Sequence, residues 1–392
     1  MSVRASRAFL VLFELQRIRP RPECLDAFQV TGETKRLSLK RGFWFDLDHI
    51  QQAMPKTTIL LTGASGALGS STLALLAAKS NFEVIVVLRS LARSEAAFRS
   101  RYASQVSEGR LSFVEVPDMT IPDTFDELAG KADAIIHIAT PLTYDNLMET
   151  TIKPSWAILR NILSAADKSG RVRRVVVTGS MVSTMRMGAL YSGGTISAES
   201  WSPITLEEAV LNPLNAYQYS KVSAEKKAWE FMKEKPRAFD LVVLLAPSIT
   251  GKSLQPGFKP NKSNLGGQPG IYKGLFDCDE PGFLFPYFMD VEDVAHVHVQ
   301  ALSPGIPGNE RYMFHSPELM MADDIAGAVR EDFPHLRQRV PAPQRGVDSG
   351  LSSNLIKTDI SKFEKAFGRQ PWKSARDSAR ETVEDIVVYE ER

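Results

Sequence analysis

Short runs of valine, isoleucine and leucine alternate with helical segments from residue 57 onward, and this alternation constrains the fold most strongly. Six runs follow one another: TTILLTG from Thr57, FEVIVVLR from Phe82, LSFVEVPD from Leu111, ADAIIHIA from Ala132, RVVVTGS from Arg174 and LVVLLAPS from Leu241. Strands that are apolar throughout are buried on both faces, as in a parallel sheet covered by helices. The sequence therefore predicts an α/β fold with a doubly wound parallel (Rossmann) sheet.

Beyond Ser248 the pattern loosens into a loop rich in glycine, proline, lysine and asparagine, followed by further helical segments. Ligands of doubly wound sheets bind beyond the carboxyl ends of the strands, so these C-terminal segments are expected to cover the site. We therefore predict a Rossmann domain with a smaller, discontinuous C-terminal substrate-binding part. The boundaries are 56–250 for the Rossmann domain, 286–303 for a segment returning to it, and 251–285 with 304–392 for the substrate-binding part.

Residues 1–55 differ from the rest of the chain. Prolines, arginines and isolated aromatic residues are mixed there without sustained periodicity. We interpret this range as a poorly ordered N-terminal extension without catalytic residues. Its arginines leave mitochondrial import open as an alternative, but Glu14 and Glu23 count against it because transit peptides are poor in acidic residues.

Composition excludes several classes of function. The formal net charge is +1, from 47 basic and 46 acidic residues, so neither nucleic acid nor an anionic membrane is indicated as a partner. No apolar run approaches the length of a membrane span. The two cysteines, Cys24 and Cys278, exclude a disulfide framework and favour a reduced, cytoplasmic setting.

A glycine-rich segment, TGASGALG, joins the first apolar run to the first helix. Glycines in a tight strand-to-helix turn let the backbone approach a pyrophosphate, and the helix N-terminus supplies free N–H groups. The alternative is an ordinary turn that uses glycine only for its geometry. The strand and helix context favours dinucleotide binding, with the predicted contacts Gly63, Ser65, Gly66, Ala67, Leu68 and Gly69.

Arg89 ends the second apolar run, where dinucleotide enzymes distinguish their two cofactors. An acidic residue there would accept from the ribose hydroxyls of NAD, whereas the 2′-phosphate of NADP requires a cation. A guanidinium forks onto phosphate oxygens, and Arg93 follows nearby. The alternative is a solvated surface arginine. We predict NADP(H) as the cofactor.

The segment NAYQYSK offers two tyrosines as a proton donor. In a helix, residues four apart share a face, whereas residues two apart point nearly opposite ways. Tyr217, four before Lys221, can therefore face the same cleft as the lysine, and Tyr219 cannot. A nearby ammonium favours phenolate, so we expect it to lower the pKa of Tyr217.

A hydroxyl group lies at the end of the fifth run, in VVVTGS. Ser180 is expected at the carboxyl end of the sheet, where it could hydrogen-bond a substrate carbonyl beside the phenol. Thr178 is the rival hydroxyl, because strand alternation places both residues on one face. Ser180 is preferred because it lies farther out toward the cleft.

The motifs TGASGALG, HIATP, RRVVVTGS, YQYSK and FMDVEDVAHVH together resemble those of the extended short-chain dehydrogenase/reductases, within the epimerase/dehydratase superfamily. The most similar branch contains dihydroflavonol reductases, cinnamoyl-CoA reductases and fungal methylglyoxal-type carbonyl reductases. The resemblance implies a catalytic triad of Ser180, Tyr217 and Lys221, with Tyr217 and Lys221 also contacting the cofactor. The further cofactor contacts that it implies are Asp118, Met119, Ala139, Thr140, Pro247 and Ser248.

These observations predict an enzyme that reduces a ketone or aldehyde with NADPH, as a monomer or homodimer, with secondary metabolism suggested by the family's usual range. A sterol- or sugar-nucleotide-type dehydrogenase or epimerase would keep the fold and change the chemistry. A non-catalytic NADP-sensing regulator is the alternative from another class. The Tyr217–Lys221 pair counts against the regulator, because such proteins tend to lose it.

Overall fold

A computed structural model describes residues 25–31, 34–39, 43–46, 56–141, 145–258, 269–344 and 354–390. The chain divides into two compact units, one of residues 1–57 with 79–83 and one of residues 58–78 with 84–392. Three strands of the first unit form an antiparallel sheet, and they are β1 (Leu25–Thr31), β2 (Thr34–Leu39) and β3 (Phe43–Asp46). No strand was expected in this range, which is predicted from its sequence to be a poorly ordered extension, and the rest of residues 1–55 lies outside the described residues.

Eleven further strands are described. They are β4 (Thr57–Thr62), β5 (Phe82–Leu88), β6 (Leu111–Glu115), β7 (Ala134–His137), β8 (Arg174–Ser180), β9 (Thr195–Ser197), β10 (Asp240–Ala246), β11 (Ser248–Thr250), β12 (Phe288–Asp290), β13 (Glu310–Met313) and β14 (Lys357–Asp359). Two short parallel pairs, β11 with β12 and β9 with β14, lie outside the main sheet.

The described helices connect these strands. They are α1 (Ala67–Ala77), α2 (Leu91–Arg101), α3 (Ala103–Ser107), α4 (Asp126–Ala129), α5 (Lys153–Ser169), α6 (Leu206–Ala209), α7 (Pro213–Lys233), α8 (Pro269–Leu275), α9 (Val291–Gln300), α10 (Ala322–Asp332), α11 (Ser361–Phe367) and α12 (Ala375–Glu390). A π-helical turn, Met148–Ile152, runs into α5, and short 3-10 turns include Met181–Ser183 directly after β8. In the described part of the chain no helix is long and apolar enough to cross a membrane.

The main sheet is parallel and has the strand order β6-β5-β4-β7-β8-β10-β13. The order reverses between β4 and β7, and this switch point opens a crevice at the carboxyl ends of the strands. The predicted α/β fold class is confirmed. All six predicted strands are present, and β13 is an additional edge strand that pairs with β10. β13 was not predicted because ERYM lacks an apolar run, and it lies within the 304–392 range assigned to the substrate-binding part.

Helix α7, which carries the tyrosine–lysine pair, has a well-defined start. Asn212 caps it by accepting a hydrogen bond from Asn215 N at 2.9 Å, and Pro213 occupies the first turn, where its missing N–H costs nothing. Ala224 and Ala228 face the core of the main sheet. Small buried residues at four-residue spacing let α7 pack closely, which fixes the helix beside the ends of β7 and β8.

A second apolar core lies among the C-terminal helices. Residues of α8, α10 and α12 form it, and its fully buried members include Leu275, Ala326 and Val383. The members come from two separate parts of the chain, between residues 271 and 288 and between residues 320 and 386.

Candidate active site

The turn between β4 and α1 is so tightly packed that it requires glycine. Gly63 has a φ of +82°, and a Cβ there would lie 2.6 Å from Ala139 N at the end of β7. A Cβ on Gly69 would lie 1.9 Å from Gly63 O, far inside contact distance. Gly66 N donates to Gly63 O at 3.0 Å and closes the turn. These glycines therefore meet a steric demand as well as a conformational one.

Helix α1 begins at this turn, with Gly66 as its N-cap. Glycine has no side chain with which to satisfy the first N–H groups, so these donors face the cleft together with the positive end of the helix dipole. This is the arrangement that binds a phosphate group. The described residues thus fit the pyrophosphate of a dinucleotide, as the glycine pattern predicts.

A cleft of about 1500 Å³, including its open mouth, runs along the carboxyl ends of the strands beside this turn. It contains most of the residues predicted from the sequence. They are Gly63, Ser65, Gly66, Ala67, Leu68, Gly69, Arg89, Asp118, Met119, Ala139, Thr140, Tyr217 and Lys221. The fold therefore gathers on one surface residues that lie more than 150 positions apart in the chain.

Arg89 lies at the wall of the cleft and is exposed. Its guanidinium makes no hydrogen bond or ion pair with any residue that the structure describes, whereas Glu95, the first acid after it, pairs with Arg99 at 2.6 Å. Arg93 does not line the cleft. An unpaired guanidinium here is available to the 2′-phosphate of NADP, and it fits that group better than a bare ribose.

Lys221 extends from α7 to the ends of β7 and β8. Its Nζ donates to Thr140 Oγ1 at 2.9 Å and to the Thr178 carbonyl oxygen at 2.9 Å. Burial lowers the pKa of Lys221 to about 8, and the charge of Glu225 opposes this effect. The ammonium lies 5.8 Å from the centroid of the Tyr217 ring, so the two groups share one face of α7 as predicted.

The pKa of Tyr217 departs from expectation. Burial raises it above the ordinary value of a phenol, and only the hydrogen bond with Ser180 acts in the opposite direction. The prediction that the ammonium lowers this pKa is therefore wrong for the protein without ligand. The physical reason is that the free-energy cost of removing a phenolate from water exceeds the stabilisation from the Lys221 ammonium, whose N–H groups point to Thr140 and Thr178.

Tyr219 points to the other side of α7. It packs against an apolar cluster of Ile152, Ala209 and Ala216, next to the π-helical turn. The cleft lining does not include it. The helical spacing argument thus separates the two tyrosines correctly, with Tyr217 at the cleft and Tyr219 in packing.

The two candidate hydroxyls on β8 have different partners. His298 is fully buried and its pKa is lowered to about 4, so it is neutral. Its Nδ1 lies 2.8 Å from the Val294 carbonyl oxygen and must donate to it, which leaves Nε2 to accept from Thr178 Oγ1 at 2.8 Å. The Thr178 hydroxyl is therefore engaged by His298, although Thr178 lines the cleft and Ser180 does not. Ser180 Oγ accepts from Val182 N at 3.4 Å, and the Ser180 side chain lowers the pKa of the Tyr217 phenol.

His137, at the end of β7, is buried and hydrogen-bonded to Thr62 Oγ1 through Nδ1 at 2.8 Å. Burial lowers its pKa to about 3, and the charge of Lys221 contributes. Neutral histidines on β7 and α9 thus border the buried ammonium. Neither adds a second charge that would change the protonation of Lys221.

Two predicted cofactor residues lie differently from expectation. Pro247 and Ser248 do not line the cleft, but Ile249, the next residue along, does. The Ser248 N–H donates to Tyr287 O at 3.0 Å at the start of β11. Residues that the sequence did not indicate also line the cleft, among them Thr120 and Pro154. Thr120 lies in the loop after β6 and Pro154 in the first turn of α5, and neither belongs to a motif that indicated a cofactor contact.

The fold and the site define a dinucleotide-binding protein with a tyrosine–lysine pair in the cleft at the carboxyl edge of its sheet. Residues 59–268 match the NAD dependent epimerase/dehydratase family. The GRP2 protein of Candida albicans is 30% identical over 298 residues, which cover 73% of this chain and 85% of that protein. The chain therefore belongs to this family, and the resemblance found in its motifs is confirmed.

Further relatives extend the comparison. The NADPH-dependent methylglyoxal reductase GRE2 of Saccharomyces cerevisiae is 27% identical, with 86% of this chain and 99% of that protein covered. Ketoreductase sphI of Aspergillus fumigatus is 25% identical at the same coverage. The crystal structure of yeast methylglyoxal/isovaleraldehyde reductase Gre2 complexed with NADPH superposes with a TM-score of 0.76, at 25% identity, over 86% of this chain and 100% of that one.

Gly69→Ala is expected to weaken NADPH binding, because its methyl group would collide with the carbonyl oxygen of Gly63 and open the turn. Fluorescence titration with NADPH measures this, with an expected rise in Kd of at least about tenfold, the result of losing more than about 1.4 kcal/mol. Gly305→Ala is the matched control, because Gly305 is exposed and its Cβ meets only Ser303 Oγ at 3.6 Å. Unchanged binding by Gly69→Ala would contradict the assignment of the turn.

Proposed function

We propose that this protein is an NADPH-dependent carbonyl reductase that converts a ketone or an aldehyde to an alcohol. One observation supports this most strongly: the Tyr217 phenol and the Lys221 ammonium share one face of α7, beside a cleft bordered by the glycine turn. A proton donor and a cation next to a dinucleotide site are the groups that carbonyl reduction requires.

The side chains divide the work as follows. NADPH supplies a hydride when bound. Tyr217, kept protonated at neutral pH by its raised pKa, donates its proton to the carbonyl oxygen. Ser180, whose side chain acts on the pKa of the phenol, would orient that oxygen. Lys221 uses two of its three N–H groups on Thr140 and Thr178, which leaves the third for the nicotinamide ribose.

The raised pKa of Tyr217 suits this direction of reaction. A donor that stays protonated is competent for reduction over the neutral range, whereas oxidation of an alcohol would require the phenolate, which burial disfavours. The relatives agree, since their names state NADPH-dependent methylglyoxal reduction and ketoreduction. The unpaired Arg89 supports NADPH as the preferred cofactor.

Cellular setting and assembly remain as the sequence predicts them. The near-neutral charge and the two cysteines favour a cytoplasmic enzyme without nucleic-acid or membrane partners, acting as a monomer or homodimer. Substrate would enter from the open side of the cleft, and we expect the C-terminal part to cover that side.

Transfer of deuterium tests the proposed activity directly. NADPH carrying deuterium at C4, prepared in both stereochemical forms, is incubated with methylglyoxal and a panel of ketones and aldehydes. We expect one of the two forms to place deuterium on the carbinol carbon of the product, detected by mass spectrometry. Absence of NADPH consumption with every carbonyl, together with NAD⁺ reduction by a sterol alcohol or turnover of a UDP-sugar, would favour the alternative enzyme class.

Tyr217→Phe removes the proton donor and little else, so kcat should fall by about 10²- to 10⁴-fold while NADPH binding persists. Tyr219→Phe is the control, because Tyr219 packs away from the cleft. Steady-state kinetics and NADPH titration distinguish the two variants. Full activity in Tyr217→Phe with loss in Tyr219→Phe would show that the wrong tyrosine has been assigned.

Arg89→Ala should raise the KM for NADPH by about 10- to 100-fold, the loss expected for hydrogen bonds to a charged phosphate. The KM for NADH should change little, because NADH has no 2′-phosphate for the guanidinium to bind. Arg93→Ala serves as the control, being an exposed arginine outside the cleft. An equal loss for both cofactors in Arg89→Ala would refute the role in cofactor choice.

A further inference from the structure

A buried ion pair lies one helical turn beyond Lys221. Glu225 is 5% exposed and Arg311, on the edge strand β13, is 8% exposed. Arg311 Nε donates to Glu225 Oε1 at 2.6 Å, and Arg311 Nη2 donates to Oε2 at 3.2 Å. Trp229 Nε1 also donates a hydrogen bond to Glu225 Oε1, at 3.1 Å.

Arg311 also contacts groups other than the Glu225 carboxylate. Its Nη1 donates to the carbonyl oxygens of Ala198 and Ser200 at 2.5 and 3.0 Å, and its guanidinium lies 3.6 Å over the ring of Trp201. Burying two charges costs several kcal/mol each, and apolar residues often replace such pairs without loss of stability. Stability alone therefore does not explain why Glu225 and Arg311 are buried as an ion pair.

Ser183 connects this pair to the catalytic serine. Its Oγ donates to the Ser180 carbonyl oxygen at 2.8 Å and accepts from Arg311 Nη2 at 3.4 Å. Gln218, which is 2% exposed and follows Tyr217 directly, donates to the Val182 carbonyl oxygen at 2.8 Å. Helix α7 thus holds the Ser180 turn, residues 180–184, both directly and through the ion pair.

We propose that Glu225 and Arg311 are positioning residues that hold the Ser180 turn in register with Tyr217 and Lys221. This inference rests on the proposed function for its catalytic consequence, whereas the restraint on the turn can be measured without activity. Hydride and proton transfer require Ser180 and Tyr217 to hydrogen-bond the same carbonyl oxygen of the substrate. A displacement of about 1 Å between them costs about 100-fold in rate.

The pair also shapes the field at Lys221. Four titratable groups face the ammonium: Tyr217 and Glu225 on α7, His137 on β7 and His298 on α9, and both histidines are neutral. Glu225 is therefore the anion in this set, and its charge raises the pKa of Lys221 against the larger effect of burial. Arg311 offsets that charge, so removing either partner should move the pKa of Lys221, in opposite directions.

A matched control exists on β8, the strand that ends at Ser180. Arg174, at the opposite end of β8 from Ser180, is 8% exposed and binds Asp240 through Nε–Oδ1 at 2.7 Å and Nη2–Oδ2 at 2.8 Å. It likewise donates to three backbone carbonyl oxygens, those of Ala301, Ser303 and Ile306. Its variants should cost comparable stability without touching the Ser180 turn.

The kinetic experiment compares E225Q, R311M and the double variant E225Q/R311M with R174M and D240N, using NADPH and a carbonyl substrate. We expect kcat to fall about 10- to 100-fold in the first three, with NADPH affinity retained, and to change less than about threefold in the controls. Reduction requires protonated Lys221, so activity is lost as pH rises through its pKa. That alkaline limb should move to higher pH in R311M, to lower pH in E225Q, and not at all in the controls.

Hydrogen–deuterium exchange of the protein without ligand provides the second readout. We expect faster exchange in peptides covering the Ser180 turn in R311M and the double variant, and unchanged exchange there in R174M. The double variant carries no unpaired buried charge, so it keeps the test valid if a single variant does not fold. Unchanged exchange at the turn, or kinetic losses no larger than those of the controls, would overturn the proposal; absence of wild-type activity would refute the function while the exchange result still stands.

Discussion

The buried ammonium of Lys221 is the interaction on which the site depends. A lysine out of water is costly unless its protons find acceptors, and here a hydroxyl from the end of β7 and a carbonyl from the end of β8 supply them. That requirement fixes α7 against the two strands that border the switch point of the sheet. Tyr217, one turn earlier, then lines the cleft. The same burial that brings the pKa of Lys221 near neutrality raises that of Tyr217. Burial in the same environment thus brings the pKa of the Lys221 ammonium closer to neutral pH and keeps the Tyr217 phenol protonated.

The cofactor side of the cleft depends on steric closeness. Gly63 lies so near the backbone of Ala139 that the glycine turn and the end of β7 form one continuous wall. Arg89 stands at the far end of this wall without a partner among the described residues, and Lys221 stands at the near end. The sheet therefore determines how far Arg89, the proposed phosphate ligand, lies from Tyr217, the proposed proton donor. Loops, the start of α5 and single strand residues contribute the remaining lining, and the loops among them are a natural source of substrate specificity.

Sequence reasoning succeeded where one element carried the signal. The strand runs and the glycine turn are local patterns, and the spacing of Tyr217 to Lys221 along a single helix separated it from Tyr219. It failed where the cause is tertiary. The direction of the pKa shift of Tyr217 follows from burial, which spacing cannot show. Arg311 lies in a strand without an apolar run, so the sequence pattern does not indicate that edge strand. Its partner Glu225 is 86 residues away, so no local spacing indicates the ion pair.

A crystal structure of the protein with NADP⁺ measures the central geometry most directly. The account predicts the nicotinamide ribose within hydrogen-bonding distance of Lys221 Nζ, with the Tyr217 hydroxyl beside the nicotinamide C4 and open to the cleft. A nicotinamide ring bound away from α7, or a Tyr217 hydroxyl sealed off from it by packed side chains, would contradict the account.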